Sequence, residues 1–257
     1  MSAQTEQKPK LWQIDISHYS EKVRWALEHK GVDHVRRSPL PGTHIPIALV
    51  LTRGAQPTVP ILQLDGRMIG DSTEILAALE SVHPDPPLYP IDAEKRARAV
   101  ELEEWFDENL GPHTRLLPFH ELIQEPELFA EVAAASVPGP LGKAKPVLGA
   151  YGRVYTTLRW GANKEDAAER ARAGIAAAMD RLEAELEKEE GEFLVGDRLS
   201  IADITAASLF YPVVVPPEGP LSPDLPQPPA FERFREGLRE RRGYRWVEET
   251  FRRHRHR

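Results

Sequence analysis

The stretch from Gln56 to Ser72 constrains the fold of this chain more than any other. Ile61–Leu64 is short and apolar-rich, as a strand requires, and Asp65–Gly66 fits a two-residue type I′ hairpin turn, in which both central positions need φ > 0. Arg67–Met68–Ile69 is then the return strand, and Gly70 permits a tight bend. Asp71–Ser72 stand ahead of Ile75, Leu76 and Leu79, whose spacing predicts a helix. Pro60 occupies the first position of the strand, where a missing N–H removes only a terminal ladder donor. A cis Val59–Pro60 bond would turn the Val59 backbone groups outward. Only a few per cent of X–Pro bonds are cis, so the residues alone predict trans.

The chain ahead of this stretch supplies the rest of a layered α/β unit. Lys10–Ile16 alternates as a first strand. After Ser17–His18–Tyr19–Ser20, the residues Tyr19, Val23, Ala26, Leu27 and Lys30 share one helical stripe, and Gly31 provides a left-handed residue beyond its end. Val32–Arg37 is expected as a second strand. A loop through Pro39, Pro41 and Gly42 leads to a short helix, His44–Arg53, with Thr43 as its N-cap and Gly54 as its stop. Strands and helices thus follow the order βαβαββα.

Four prolines between His83 and Pro90 cannot continue a helix, so the boundary is expected there. The predicted organisation is a first domain over 1–83, a linker over 84–91 and an all-α domain over 92–257. Asp92 caps a helix over Ala93–Leu110. One or two helices broken at Pro126 lie between Pro118 and Val137, a loop covers Val137–Gly142, and a helix runs over Lys145–Trp160. A long helix over Lys164–Glu190 ends in acidic residues that oppose its dipole and predict a frayed last turn. Ser200 and Asp203 form a carboxylate version of the capping box ahead of Ile204–Tyr211. Pro212–Pro229 reads as a loop, Phe231–Phe251 as one or two helices split near Gly243, and Arg252–Arg257 as a disordered tail.

Bulk properties exclude several classes. A net charge of −7 speaks against general nucleic-acid binding. No run reaches the roughly 18 apolar residues of a membrane span, and the polar first ten residues hold no apolar signal segment, so a cytoplasmic location is expected. With no cysteine, the chain has no disulfide, no cysteine-ligated metal and no cysteine nucleophile, so thiol chemistry needs a thiol carried in by a ligand. The histidines show no metal-ligand spacing, and no metal is expected.

Ser17, at the junction of the first strand and first helix, reads from its position either as a helix N-cap or as a hydroxyl donor to a ligand. Ser20 is the competing donor. The order Thr58–Val59–Pro60, Asp65–Gly66, Asp71–Ser72 resembles the second half of the thioredoxin-like domain of glutathione transferases. Ser17–His18–Tyr19–Ser20 with Val23–Arg24 and Ala26–Leu27 resembles the active-site segment of the serine-type theta-, zeta- and tau-like members. The resemblance covers about Lys10 to His83 and implies an α+β fold, a thioredoxin-like domain followed by a helical one.

It also implies a function: activation of the glutathione thiol, as co-substrate, for conjugation to a small electrophile or its isomerisation. Ser17 would donate to the sulfur, with Ser20 ranked second. Val59 before a cis Pro60 would pair its backbone with the cysteinyl part. Asp71 and Ser72 would hold the γ-glutamyl end and His44 the glycyl carboxylate. Tyr19, Trp105 and His113, with Phe106 and Phe119, would line the second-substrate pocket. A homodimer is implied as well. Two departures stand out: His18, which reads as a solvated histidine, replaces a proline common in the family, and Pro57 replaces a polar residue whose contact Gln56 or Arg53 would take over. Alternative readings are a family member kept for binding or regulation without turnover, and an enzyme using another low-molecular-weight thiol.

Overall fold

The computed structural model describes residues 8–135, 137, 139–188 and 191–255. The chain divides into two compact units, Met1–Leu88 and Tyr89–Arg257.

The first unit holds β1 (Lys10–Trp12), α1 (His18–His29), β2 (Val35–Arg37), α2 (His44–Leu51), β3 (Ile61–Leu64), β4 (Arg67–Gly70) and α3 (Ser72–Val82). The sheet order is β2-β1-β3-β4, with β1 parallel to β2 and antiparallel to β3, and β3 antiparallel to β4. Leu11, Ile61, Leu62, Ile75, Leu76 and Leu79 form its core with Val23, Ala26 and Leu27 of α1, all fully buried. The hairpin turn has the expected conformation, with φ of 48° at Asp65 and 78° at Gly66. α1 ends as the sequence indicates: Gly31 is left-handed, its N–H reaches Glu28 O at 2.9 Å, and the Val32 N–H reaches Leu27 O at 2.8 Å, the paired bonds of a Schellman motif.

Three element ends differ in detail from expectation, each for a local reason. β1 stops at Trp12 rather than Ile16: Gln13 N–H still reaches Arg37 O at 2.9 Å, but beyond it Ser17 N–H closes a turn on Ile14 O at 3.0 Å. β2 begins at Val35 rather than Val32, because Val32 is engaged in the helix terminus. Thr43 holds the N-cap position of α2 as expected but does not cap it with its side chain: it already has helical dihedrals, and its hydroxyl donates to Leu40 O at 2.8 Å.

In the second unit the helices are α4 (Ala93–Asn109), α5 (Gly111–Gln124), α6 (Pro126–Ala135), α7 (Lys145–Trp160), α8 (Glu165–Lys188), α9 (Ile201–Val214), α10 (Pro229–Arg239) and α11 (Arg242–His254). A 3-10 turn over Gly139–Lys143 stands where a loop was expected. Asp92 caps α4, accepting from Lys95 N–H at 2.9 Å.

Two helices run through prolines that the sequence reading treats as boundaries. α5 starts at Gly111 and passes through Pro118. α9 continues past Tyr211 through Pro212. An interior proline costs about 3 kcal/mol or more. In α9 burial along the whole helix offsets that cost. The carbonyls of Val213 and Val214 accept from the Arg235 guanidinium, at 2.5 and 3.0 Å, and Val214 O also accepts from Tyr244 Oη at 3.1 Å. The acidic end of α8 is not frayed through Lys188: Glu185 is buried and meets Arg98, Arg181 at 2.8 Å and Lys188 at 2.9 Å. Residues 189–190 of that segment lie outside the described residues. Arg252–His254 are the last turn of α11 and Arg255 is buried, which corrects the expected disordered tail up to its last two, undescribed residues.

The Ser200–Asp203 box forms. The fully buried Asp203 carboxylate accepts from Ser200 N–H and the Ser200 hydroxyl, both at 2.9 Å, and from Leu194 N–H at 2.7 Å. Burial pushes its carboxyl up to about 6 against the pull of those three donors. Asp203→Ala strips two backbone N–H groups of their acceptor, for an expected loss of about 2–3 kcal/mol at pH 7 in denaturant titration. The folded pKa lies above the unfolded one. The folded state therefore holds the extra proton between about pH 4 and 6, and the stability tied to it is lost as pH rises through that window. The gap between wild type and variant should narrow from pH 4 to pH 7.

Candidate functional site

The sheet register brings the sequence candidates of the first unit to one end. Trp12 pairs with Ile61, Ile61 with Gly70, and Trp12 with Arg37. The segment leaving β1, the one entering β3, the one leaving β4 and the one leaving β2 therefore emerge together. They carry Ser17, Val59–Pro60, Asp71–Ser72 and His44 respectively.

The Val59–Pro60 bond is cis. Val59 precedes β3, and its N–H and C=O make no hydrogen bond among the described residues. Backbone groups left this way normally meet water or a ligand. Gln56 donates to Thr58 O at 3.3 Å, and its amide lies on Gly70, where a Cβ would come within 2.1 Å of Nε2.

Ser17 is the N-cap of α1 and is half-buried. Its Oγ accepts from Ser20 N–H at 3.3 Å. A hydroxyl accepts and donates at once, so this cap leaves the O–H to donate elsewhere. Ser20 is fully buried and its Oγ accepts from Ile14 N–H at 3.4 Å, a structural contact that ties the β1–α1 loop to the helix. His18, expected in solvent, is buried with its ring 4.5 Å from that of the half-buried Tyr19.

Asp71 has φ 68° and ψ 136°, a conformation rarely adopted by a side-chain-bearing residue, and caps α3 by accepting from Thr73 N–H at 2.9 Å. Such backbone strain concentrates at binding sites, where surrounding structure holds it in place. Ser72 beside it is buried. The fully buried Lys22 reaches the same helix start, donating to Thr73 Oγ1 at 3.3 Å. His44 is buried at the start of α2. Its Nδ1 accepts from Gly42 N–H at 3.0 Å, which places the proton of the neutral ring on Nε2.

The sequence reading missed the device that holds the β1–α1 loop. Arg24, almost fully buried, donates to Glu21 Oε2 at 2.7 Å, Gln13 Oε1 at 2.8 Å and the Asp15 carbonyl at 2.9 Å. Asp15 Oδ1 accepts from Gln13 at 2.8 Å and from the Ser38 hydroxyl at 2.7 Å. One guanidinium thereby fixes the loop ending at Ser17 and, through Ser38, the segment leading to His44. The signal available in the sequence was a Glu–Arg pair at i, i+3, Glu21 and Arg24, in the first turns of the helix that carries the apolar stripe.

The aromatic candidates of the second unit have separate surroundings. Trp105 lies under the Arg181 guanidinium, 5.4 Å from its ring centroid, and Phe106 is in the core. His113 packs on Gly174 of α8, and burial, aided by the Arg170 charge, lowers its pKa. Phe119 stacks on Trp160 at 5.1 Å. Among the described residues no group of three or more His, Asp or Glu is placed to hold a metal ion, and no helix is long and apolar enough to cross a membrane.

A mixed four-stranded sheet with its helices, followed by a helical unit, defines a thioredoxin-like domain joined to an all-α one. Residues 11–87 match the model of the glutathione S-transferase N-terminal domain, and residues 139–241 that of the C-terminal domain. The chain is 26% identical to maleylacetoacetate isomerase of Dictyostelium discoideum over 218 residues, 80% of each chain. It is likewise 26% identical to the enzyme of that name from Rattus norvegicus over 211 residues, 78% of this chain and 76% of the other. Among solved structures, glutathione transferase GSTFuA3 from Phanerochaete chrysosporium superposes with a TM-score of 0.61 at 20% identity, covering 96% of this chain and 97% of that one, a likeness of fold. This chain belongs to the glutathione S-transferase family.

Proposed function

We propose that the protein is a serine-type glutathione transferase that binds glutathione at the sheet end of its first unit and activates the thiol for attack on a small electrophile. The observation that carries this is the open peptide edge of Val59 beside a cis proline, at the same end as Ser17, His44 and Asp71–Ser72. The Val59 N–H and C=O pair with the cysteinyl residue as a short antiparallel strand. The γ-glutamyl carboxylate meets the N-terminus of α3 at Ser72, where N–H groups and helix dipole favour an anion, and Asp71 takes the γ-glutamyl ammonium. His44 donates from Nε2 to the glycyl carboxylate. Pro60 fixes the edge.

Ser17 then donates to the sulfur. A free thiol near pKa 8.5 is mostly protonated at pH 7, and a hydroxyl donor with the positive end of α1 favours the thiolate. Ser17 stays unmodified throughout. With an activated double bond the thiolate adds to carbon and the π electrons move onto the conjugated carbonyl. Protonation of the resulting enolate yields a conjugate. Bond rotation and expulsion of the thiolate yield an isomer and regenerate glutathione. The relatives named as maleylacetoacetate isomerase favour including the second outcome in any substrate screen. We take Tyr19, whose ring lies 4.5 Å from that of His18, as the residue of this unit that meets the electrophile. The working form is a homodimer in the cytoplasm.

Calorimetric titration with glutathione tests the reading. Saturable binding together with thiolate ultraviolet absorbance at pH 7 is expected, and an absence of binding heat at millimolar glutathione would sink it. Asp71→Asn keeps a residue that tolerates positive φ and a capping oxygen while removing the charge. It should weaken glutathione binding about tenfold, the worth of one charge-assisted contact. Binding of cysteinylglycine, which lacks the γ-glutamyl group, should not change.

A further inference from the structure

Gly70, the last residue of β4, is not a turn glycine. Its φ lies outside the left-handed region that makes glycine necessary, and a glycine on a strand offers nothing to pack. What requires glycine there is space. A Cβ on Gly70 would overlap Nε2 and Cδ of Gln56 and lie 2.8 Å from its Oε1, so the flat amide of Gln56 rests on the bare Cα. The backbone of Gln56 is held separately: its N–H donates to Oγ1 of Thr52, the C-cap of α2, at 3.1 Å. Seated in this slot, the amide donates to Thr58 O at 3.3 Å.

That carbonyl belongs to the same peptide group as the Val59 N–H. A trans peptide is planar, with its C=O and N–H pointing in opposite directions, and the Thr58–Val59 bond is trans. A grip on the oxygen therefore fixes the direction of the hydrogen. Donation to the carbonyl also polarises the group and makes its N–H a better donor. We propose that Gln56 is a positioning residue: seated over Gly70, it aims the Val59 N–H at the cysteinyl residue of glutathione. The inference rests on the proposed activity. It gives Gln56 a different task from the one the family resemblance implied, a direct contact replacing the polar residue missing at Pro57. Here Gln56 acts through Val59 and touches no part of the tripeptide.

The test compares glutathione affinity, by calorimetry, for the wild type, Gln56→Ala, Gly70→Ala and the double variant. Gln56→Ala removes the grip and should weaken binding about fivefold, the worth of one neutral hydrogen bond. Gly70→Ala fills the slot and lifts the flexible end of Gln56 away, so it should cost about as much. Once Gln56 is shortened the new methyl meets open space, and the double variant should bind like Gln56→Ala alone. Gln56→Glu keeps the shape but has no N–H to give, and should bind no better than Gln56→Ala. The pKa of the bound thiol should stay the same throughout, because Ser17 is untouched. The loss should persist with γ-glutamylcysteine and with cysteinylglycine, since both keep the cysteinyl residue. Its disappearance with either peptide would mean that Gln56 touches the missing end, and overturns the proposal. Additive losses from the two substitutions overturn it too, as does a Gln56→Ala chain that melts earlier but binds glutathione like the wild type. A wild type that binds beside variants that bind equally well sinks the brace alone, whereas a wild type that does not bind glutathione sinks the activity and the brace with it.

Discussion

Ser17→Ala is expected to leave glutathione bound and to return its thiol toward the pKa of about 8.5 that it has in solution. A wild-type shift of about two units corresponds to roughly 2.7 kcal/mol of thiolate stabilisation. At pH 7 a thiol shifted that far is mostly ionised, whereas the unshifted one is ionised to a few per cent. The variant's rate at pH 7 should fall on the order of tenfold to a hundredfold and recover as pH rises past the new pKa. The affinity should change little, because the tripeptide is held by the Val59 edge, the α3 terminus and His44. Titration of thiolate absorbance in the presence of saturating protein reads the shift directly. If wild type and variant titrate together, Ser17 is not the donor. Ser20→Ala distinguishes the remaining possibility: with Ser20 Oγ buried against Ile14 N–H, that change should cost stability and leave the thiol pKa alone.

Arg24→Met should have the largest effect on stability. Glu21 and Arg24 are both buried, and the substitution leaves the Glu21 carboxylate in the interior without its guanidinium. Breaking a buried pair from one side costs about 3–5 kcal/mol. For a unit of this size that corresponds to a fall in melting temperature on the order of 15 °C or more. The Gln13 side chain and the Asp15 carbonyl lose their donor at the same time, so the loop ending at Ser17 loosens. The paired change Glu21→Leu with Arg24→Met removes both charges and should recover much of the stability, since an apolar replacement of a buried pair is often neutral. It should not recover the lowered thiol pKa, because the loop remains untied. Recovery of both would show that Arg24 serves folding alone.

Much of the fold was legible because its signals are local. The Asp65–Gly66 turn needs two residues tolerant of positive φ, the end of α1 needs Gly31, and Asp92 and Ser200 cap the helices that follow them. Each depends on residues within a few positions of one another. What escaped the sequence reading depends on distant partners. Pro118 and Pro212 stayed inside helices because neighbouring elements cover those segments, and Glu185 stayed ordered because Arg98 reaches it from α4. His18 reads as a surface histidine along the chain and is buried in the fold.

The site divides in the same way. The residue types and their order along the chain, Ser17, then Val59–Pro60, then Asp71–Ser72, were enough to indicate a family and a thiol brought in from outside, since the chain has no cysteine of its own. Chain order cannot bring residues forty or more positions apart to one place. That took the register of β1 against β2 and β3 and of β3 against β4, which sets four segment ends side by side. Only the tertiary structure decided that the Val59–Pro60 bond is cis, that the peptide groups of Val59 stay open, and that one buried guanidinium braces the loop carrying the serine. The physical reason is range: caps and turns are satisfied within a few residues, whereas an open backbone edge and a buried charge acquire their meaning from groups that only folding places beside them.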